Sequence, residues 1–263
     1  MITSATNPKL KRLASLLKKS AHRKAEHVFV IEGFKMFIEV LTQFPDRFEE
    51  IFMTPAAKEK LLKDFGAAVI EGLKYELVEE KLFDRFAETV TPQGVMAIVK
   101  TPEYSIGELL WENTSKLLVL DNLRDPGNLG TIIRTAEAAG MSGVLLSAGC
   151  VDITNPKVVR STMGAIFRVP FVSCDNLSET LLRLKEEYFG FTVYATALNG
   201  STVYTENKYY GRCAIVIGNE SNGVSPEVLE ASDKKIRIPM AGKVESLNAA
   251  VAAAVVMDEV NRY

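Results

Sequence analysis

Three stretches of this chain each begin as an apolar run ends, carry glycine, asparagine, serine or glutamate in a loop and pass into a helix pattern, which suggests one composite ligand site. They are NLRDPGNLGTIIRTAEAAG (122–140), IGNESNGVSPEV (217–228) and IPMAGKVESLNAAVAAAV (238–255). Arg134 carries a planar, permanently charged fork close to the loop-rich mouth. Glu220 can accept hydrogen bonds from hydroxyls or backbone amides, and Asn128 and Asn248 each carry a donor group and an acceptor. Other chemistries are excluded by composition. The only histidines, His22 and His27, lie outside these stretches, so no Ser-His-Asp arrangement is available. Neither a Gly-x-Gly-x-x-Gly fingerprint nor a phosphate loop ending in Gly-Lys-Ser/Thr occurs. Cys150, Cys174 and Cys213 form no Cys-x-x-Cys pair, which predicts free thiols and no metal site.

Taken singly, each polar residue has a plain structural explanation. Arg134 can pair with Glu137 at i+3, Asn128 can cap a helix, Glu220 can serve loop or helix-end electrostatics, and Ser246 suits the start of the last helix. Their placement argues for more. Leu129, Ile132, Ile133 and Ala136 mark the core face of a helix over 129–139, which Gly140 ends, while Thr131, Arg134 and Ala138 fall on another face. Gly218 follows a buried strand and lets a ligand approach the backbone. Open α/β sheets bind ligands in loops at the carboxyl ends of parallel strands, so the three stretches predict one composite site.

The elements that must position these loops alternate between strand and helix. KLLVLDN is a strand ending at Asp121, and further strands are expected at 143–147, 167–172, 192–197, 213–217 and 235–238. Helices are expected near 155–163 and 178–188, and from about Leu247 to Asn261. This pattern is a mostly parallel sheet with helices on both faces. The last helix is apolar nearly all round, which suits either burial within the chain or a dimer seam. The first half reads as a smaller α/β unit, with helices at 8–19, 34–42, 58–64 and 80–88 and strands at 27–33, 50–53, 75–80 and 94–100. Periodicity weakens from Thr101 to Ser115. The expected organisation is a first domain at 1–100, a linker at 101–115 and a second domain at 116–263.

At 263 residues, 47% hydrophobic and 24% charged, the chain suits one large or two ordinary globular domains. No apolar run is long enough to span a bilayer, and the amino terminus lacks a signal-peptide stretch. Together with the free thiols, this predicts a cytoplasmic protein. The net charge is −2, yet the first 25 residues hold Lys9, Lys11, Arg12, Lys18, Lys19, Arg23 and Lys24 and no acidic side chain. Such a segment can neutralise RNA phosphates. Leu10, Leu13, Leu16 and Leu17 equally mark it as an amphipathic helix with a core face.

In order, spacing and identity, the three stretches resemble the signature motifs of the SpoU (TrmH-like) branch of the SPOUT RNA 2'-O-ribose methyltransferases, over about Leu117 to Val260. NPKVVRSTMGAIFRVP (155–170) resembles the family's stretch between the first two motifs. The first half is similar to the small ribosomal-protein-like RNA-binding domain that many members carry. The resemblance implies an α/β-knot domain, in which the carboxyl end of a mostly parallel sheet threads a trefoil knot; general topology rules would not propose one. It implies S-adenosylmethionine as the methyl donor, a ribose 2'-hydroxyl of RNA as the acceptor, and a homodimer joined through the knotted domain. Large-subunit (23S-type) ribosomal RNA is favoured over tRNA, because the pairing with this first domain is commonest there. Carried over residue by residue, catalysis falls on Asn128, Arg134, Glu220 and Asn248. Donor binding falls on Thr196, Ala197, Gly218, Ile238, Ser246 and Leu247, and the basic amino-terminal residues would meet RNA. No metal is implied. Two departures occur: Ala249-Ala250 replaces a frequent Val-Ser, and Asn219 stands where serine or alanine is common. The alternatives are a tRNA ribose methyltransferase, a base-nitrogen methyltransferase of the same architecture, and a non-catalytic RNA-binding relative.

Overall fold

The computed structural model describes residues 1–263 and divides them into two compact units. One comprises Met1–Thr101 and Asp152–Gly164, the other Pro102–Val151 and Ala165–Tyr263. The chain therefore passes between the units three times.

The first unit opens with α1 (Pro8–Lys18) and α2 (Ser20–Glu26), separated by the extended residue Lys19. Pro8 at the first helical position and Asn7, which accepts from the Lys9 amide, start α1. Then follow β1 (Val28–Glu32), α3 (Phe34–Gln43), β2 (Phe48–Met53), α4 (Pro55–Phe65), β3 (Glu76–Leu77), α5 (Glu80–Asp84) and β4 (Val95–Lys100). The sheet order is β1-β4-β2-β3, antiparallel except where β3 joins β2. Leu10, Leu13, Leu16 and Leu17 form the expected stripe. They pack with Val28, Val30, Met96 and Ile98, the alternate residues of one sheet face.

The second unit begins with α6 (Ile106–Leu109), β5 (Lys116–Leu120), α7 (Pro126–Ala138) and β6 (Gly143–Ser147). The next helix, α8 (Pro156–Thr162), belongs to the first unit. The second unit resumes with β7 (Phe171–Cys174), α9 (Leu177–Glu187), β8 (Thr192–Thr196), β9 (Thr202–Val203), β10 (Cys213–Ile217), α10 (Pro226–Ala231), β11 (Lys234–Arg237) and α11 (Ala249–Val260). Its seven strands lie in the order β7-β6-β5-β10-β8-β11-β9, with every pairing parallel. Leu117, Val119, Val193, Ala214 and Val216 form one sheet face, covered by Leu181 and Leu184 of α9 and Val228 and Ala231 of α10. The intervening Leu118, Leu120 and Ile215 are equally buried, so both faces are covered, as parallel sheets require. α11 contacts both α7 and β10. No helix is long and apolar enough to cross a membrane.

Two expectations shift. Residues 165–167 make a 3-10 turn, and β7 starts only at Phe171, immediately after Pro170, which has no amide to donate to a ladder. Residues 102–115, expected as a linker, are part of the second unit. Pro102, Leu109 and Leu110 are buried there, and Ser105 and Glu108 form a capping box on α6. Periodicity is weak in this stretch because α6 is a single turn.

Candidate active site

The parallel pairing of β5 with β10 sets Ile217 opposite Leu120, which brings the first two polar loops together. The Asp121 amide continues the ladder to the Ile217 carbonyl at 2.9 Å. After β10 the chain pinches closed, with Asn219 and Gly223 exchanging backbone hydrogen bonds of 2.9 Å. Glycine is required at 218, since a Cβ there would overlap the backbone of Gly223 and Val224. The Asn219 side chain organises this loop. Its Oδ1 accepts from the Ser221 and Asn222 amides at 3.0 and 3.1 Å, and its Nδ2 donates to the Asn122 carbonyl at 2.7 Å. The departure at Asn219 is therefore a structural device, signalled by the turn composition of Asn-Glu-Ser-Asn-Gly. Buried Asp121 has a role at the site that no motif assigns to it. It accepts from the Ser225 amide and from Asn122 Nδ2, each at 2.8 Å, and so ties the end of β5 to the start of α10. Its signal was an acidic residue directly after a buried strand.

Two helix caps decide the rest of the geometry. Asp125 caps α7, accepting from the Asn128 amide at 2.7 Å, so the Asn128 side chain is not the cap and reaches outward. Asn248, rather than Ser246, caps α11, its Oδ1 accepting from the Ala250 and Val251 amides at 2.9 and 3.3 Å. With its oxygen turned to those amides, Asn248 presents Nδ2 to Asn128 Oδ1 at 2.9 Å. Asn128 must then donate through Nδ2, and its partner is Glu220 Oε1 at 3.0 Å. The helix end thus fixes the polarity of both carboxamides. Glu220 also accepts from the Asp125 and Arg124 amides at 3.2 and 3.4 Å. Burial opposes charge on this carboxyl, but the bonds from Asn128 and the loop amides outweigh it and hold its pKa below the usual glutamate range.

A cleft of about 390 Å³ opens at the ends of β8, β10 and β11. Thr196, Ala197, Gly218, Ile238, Ser246 and Leu247, the residues expected to bind the donor, all line it. Glu220 also lines it, whereas Asn128, Arg134 and Asn248 do not. The Thr196 hydroxyl donates to the Val216 carbonyl at 2.9 Å and so shapes the wall. Arg134 is exposed on α7, and the ion pair with Glu137 does not form, because Arg168 takes that carboxylate with two nitrogens. The volume falls within the range of small-molecule sites. Apolar walls such as Ile217, Leu229 and Ala249, with Gly218 between them, suit an adenosine-sized ligand. Burial raises all three thiols, Cys213 to about 11, so none is a ready thiolate nucleophile. No group of three or more His, Cys, Asp or Glu side chains is placed to hold a metal ion.

The basic amino-terminal segment divides. Lys9 pairs with Glu76 at 2.6 Å, and Arg12 is held by Glu26, Glu49 and Glu50 at 2.6–2.7 Å. Arg23 is only 3% exposed and pairs with Asp152. Enclosed Arg23 is a correction to the expected RNA face, whereas Lys9 and Arg12 carry their ion pairs at the surface. Lys11, Lys18, Lys19 and Lys24 are exposed.

Residues 115–258 match the family model described as the SpoU rRNA Methylase family, and residues 30–105 match that described as RNA 2'-O ribose methyltransferase substrate binding. The chain belongs to the SpoU rRNA methylase family. As a SpoU methylase it is an enzyme that uses S-adenosylmethionine and acts on RNA. It is 36% identical to the 23S rRNA (guanosine(2553)-2'-O)-methyltransferase RlmP of Bacillus subtilis (strain 168), over 97% of each chain. It is 31% identical to the mitochondrial rRNA methyltransferase 3A of Danio rerio, over 98% of this chain and 69% of that one. The crystal structure of the AdoMet-bound rRNA methyltransferase from Sinorhizobium meliloti superposes with a TM-score of 0.85 at 31% identity, covering 99% of this chain and 97% of that one. The match of this SpoU methylase to solved members therefore extends through both units.

Proposed function

We propose that this SpoU methylase transfers a methyl group to a ribose 2'-hydroxyl of large-subunit (23S-type) ribosomal RNA. The observation that carries the reading is the Glu220–Asn128–Asn248 chain, which ties all three motif loops together beside the cleft. The Bacillus relative, similar over nearly its full length, is described as acting on a guanosine 2'-hydroxyl of 23S rRNA, which supports ribosomal RNA over tRNA. When bound, S-adenosylmethionine supplies an electrophilic methyl group. Thr196, Ala197, Gly218, Ile238, Ser246 and Leu247 would hold it, with Gly218 letting its loop close tightly at the cleft wall.

The task left to the chain's own residues is to activate the hydroxyl. Arg134 stays charged in essentially any protein environment, so it serves as a clamp and not as a base. Its planar fork grips the phosphate beside the target ribose and stabilises the alkoxide as it forms. The proton passes to phosphate or water. Asn128 and Asn248 set the first turn of α7 against the donor loop, and Glu220 holds the Arg124 and Asp125 amides in place. Lys11, Lys18, Lys19 and Lys24 meet RNA phosphates. The carboxyl end of the sheet threads a trefoil knot. Supporting this, β10 inserts between two earlier strands, β5 and β8, and the chain beyond β11 returns to pack α11 on α7. A second copy covers the exposed strip of α7 and α11, and the enzyme works in a reducing cytoplasm.

The test is methylation of total RNA from a strain lacking this gene, using labelled donor, nuclease digestion and nucleoside mass spectrometry. A 2'-O-methylnucleoside in large-subunit RNA is expected. Label confined to tRNA, or found on a base, overturns the reading.

A further inference from the structure

We propose that Arg23 and Asp152 are positioning residues for methyl transfer, their buried ion pair setting the loop that carries Asn128. This rests on the methyltransferase reading above. Arg23 was expected on an RNA-facing surface, but its guanidinium is enclosed. Nη2 and Nε donate to Asp152 Oδ2 at 2.6 and 3.2 Å, Nε also reaches Thr154 Oγ1 at 3.2 Å, and Nη1 donates to the Leu16 carbonyl at 2.7 Å. Asp152 further accepts from Ser20 Oγ at 2.7 Å and, through Oδ1, from the Thr154 amide and hydroxyl at 2.9 and 2.7 Å. A buried pair of this kind contributes little net stability over apolar residues of the same volume. What it does supply is a fixed position.

That position lies at a passage of the chain between units. Asp152 is the first residue after the second passage. Its neighbour Val151 donates its amide to the Leu123 carbonyl at 2.8 Å, and the Cys150 thiol donates to the Leu120 carbonyl at 3.2 Å. Leu123 is followed directly by Arg124 and Asp125, whose amides hold Glu220, and Asp125 caps the helix that presents Asn128 and Arg134. An unbroken run of covalent and hydrogen bonds therefore leads from the substrate-binding unit to the first motif. The two anchored groups, the Val151 amide and the Asp152 carboxylate, belong to adjacent residues, so one peptide bond is all that separates the ion pair from the contact to the Leu123 carbonyl.

The test combines kinetics with hydrogen exchange on the full-length enzyme. In Arg23→Met, the Val151, Arg124 and Asp125 amides should exchange faster. The single-turnover rate at saturating RNA and donor should fall by between about tenfold and a hundredfold, as misplacement remote from the chemistry does. Affinities for RNA and S-adenosylmethionine should stay near wild type. Arg23→Lys, which keeps one bond to Asp152, should recover part of the rate. Leu61→Ala, in the buried core of α4 and off this path, should lower the Tm of the protein yet leave the saturated rate intact. A normal saturated rate in Arg23→Met, unchanged exchange at those three amides, or an equal rate loss in Leu61→Ala would overturn the proposal. Faster exchange in Arg23→Met, with no methylation even by the unaltered enzyme, would support the coupling and count against the substrate reading instead.

Discussion

Arg134 stands exposed on α7 while Arg168 occupies the carboxylate it could have paired with. A clamp on phosphate and alkoxide needs the planar fork as well as the charge. Arg134→Lys should therefore keep RNA affinity in filter binding but lose about 10²–10³-fold in single-turnover rate, the usual cost of one donor at a developing oxyanion. Near-normal turnover would sink the clamp. Glu220 works differently, since its oxygens are engaged with Asn128 and two loop amides. Glu220→Gln turns an amide toward those donors and should lower the rate about 10–100-fold, as the loss of about 1.5–3 kcal/mol from hydrogen bonds to a charged group implies. The pH dependence follows from the direction of its shift. A carboxyl lowered on folding stabilises the fold above its unfolded pKa of about 4.3, and that contribution disappears as pH falls through the lowered value. The loop should thus stay fastened through neutral and mildly acidic pH. Rate profiles of wild type and Glu220→Gln between about pH 6 and 9 should share one shape, and an inflection present only in the wild type would contradict this.

At the scale of elements, α11 does two jobs with one residue. Asn248 caps the helix with its oxygen and holds Asn128 with its nitrogen. The two roles separate by substitution. Asn248→Ala should cost about 1 kcal/mol in denaturant unfolding for the lost cap, and turnover should fall as well. Asn248→Asp keeps an acceptor at a helix start, where negative charge is favoured. It should restore stability without restoring turnover, because a carboxylate cannot donate to Asn128. Recovery of both in Asn248→Asp would show that the cap alone matters. Most of the longer elements were legible in the sequence, because they depend on local spacing. Leu129, Ile132, Ile133 and Ala136 outline α7, and the unbroken apolar runs of β5 and β10 announce central strands. The cap of α7 was legible too, since Pro126 at the first helical position points to Asp125, yet Asn128 has the same chemistry and drew the assignment. What spacing cannot carry is a partnership across the chain. Arg23 and Asp152 lie 129 positions apart, and no periodicity links them, so a buried structural arginine read as part of a basic face. The two-residue β9 is too short to leave a pattern.

For the whole molecule, the question is whether one copy of the chain contains a complete site. α7 and α11 pack on each other, and each keeps an exposed strip. On α7 this strip bears Thr131, Arg134 and Ala138, and on α11 it includes Val251, 49% exposed. We propose that a second copy covers these strips and that Arg134 of one protomer serves the cleft of the other. Val251→Glu should then yield a monomer in sedimentation equilibrium with most of its activity lost. Mixing experiments sharpen the point. Arg134→Lys spoils the clamp, and Gly218→Val spoils the donor loop, where any Cβ meets Gly223 and Val224. In a mixed dimer with sites shared across the seam, one composite site keeps an intact cleft from the first variant and an intact Arg134 from the second. Half of randomly exchanged dimers are mixed and each has one working site of two, so co-refolding the two inactive variants should restore about a quarter of wild-type activity. If Arg134 serves the cleft of its own chain, every site in the mixture carries a defect and no activity returns.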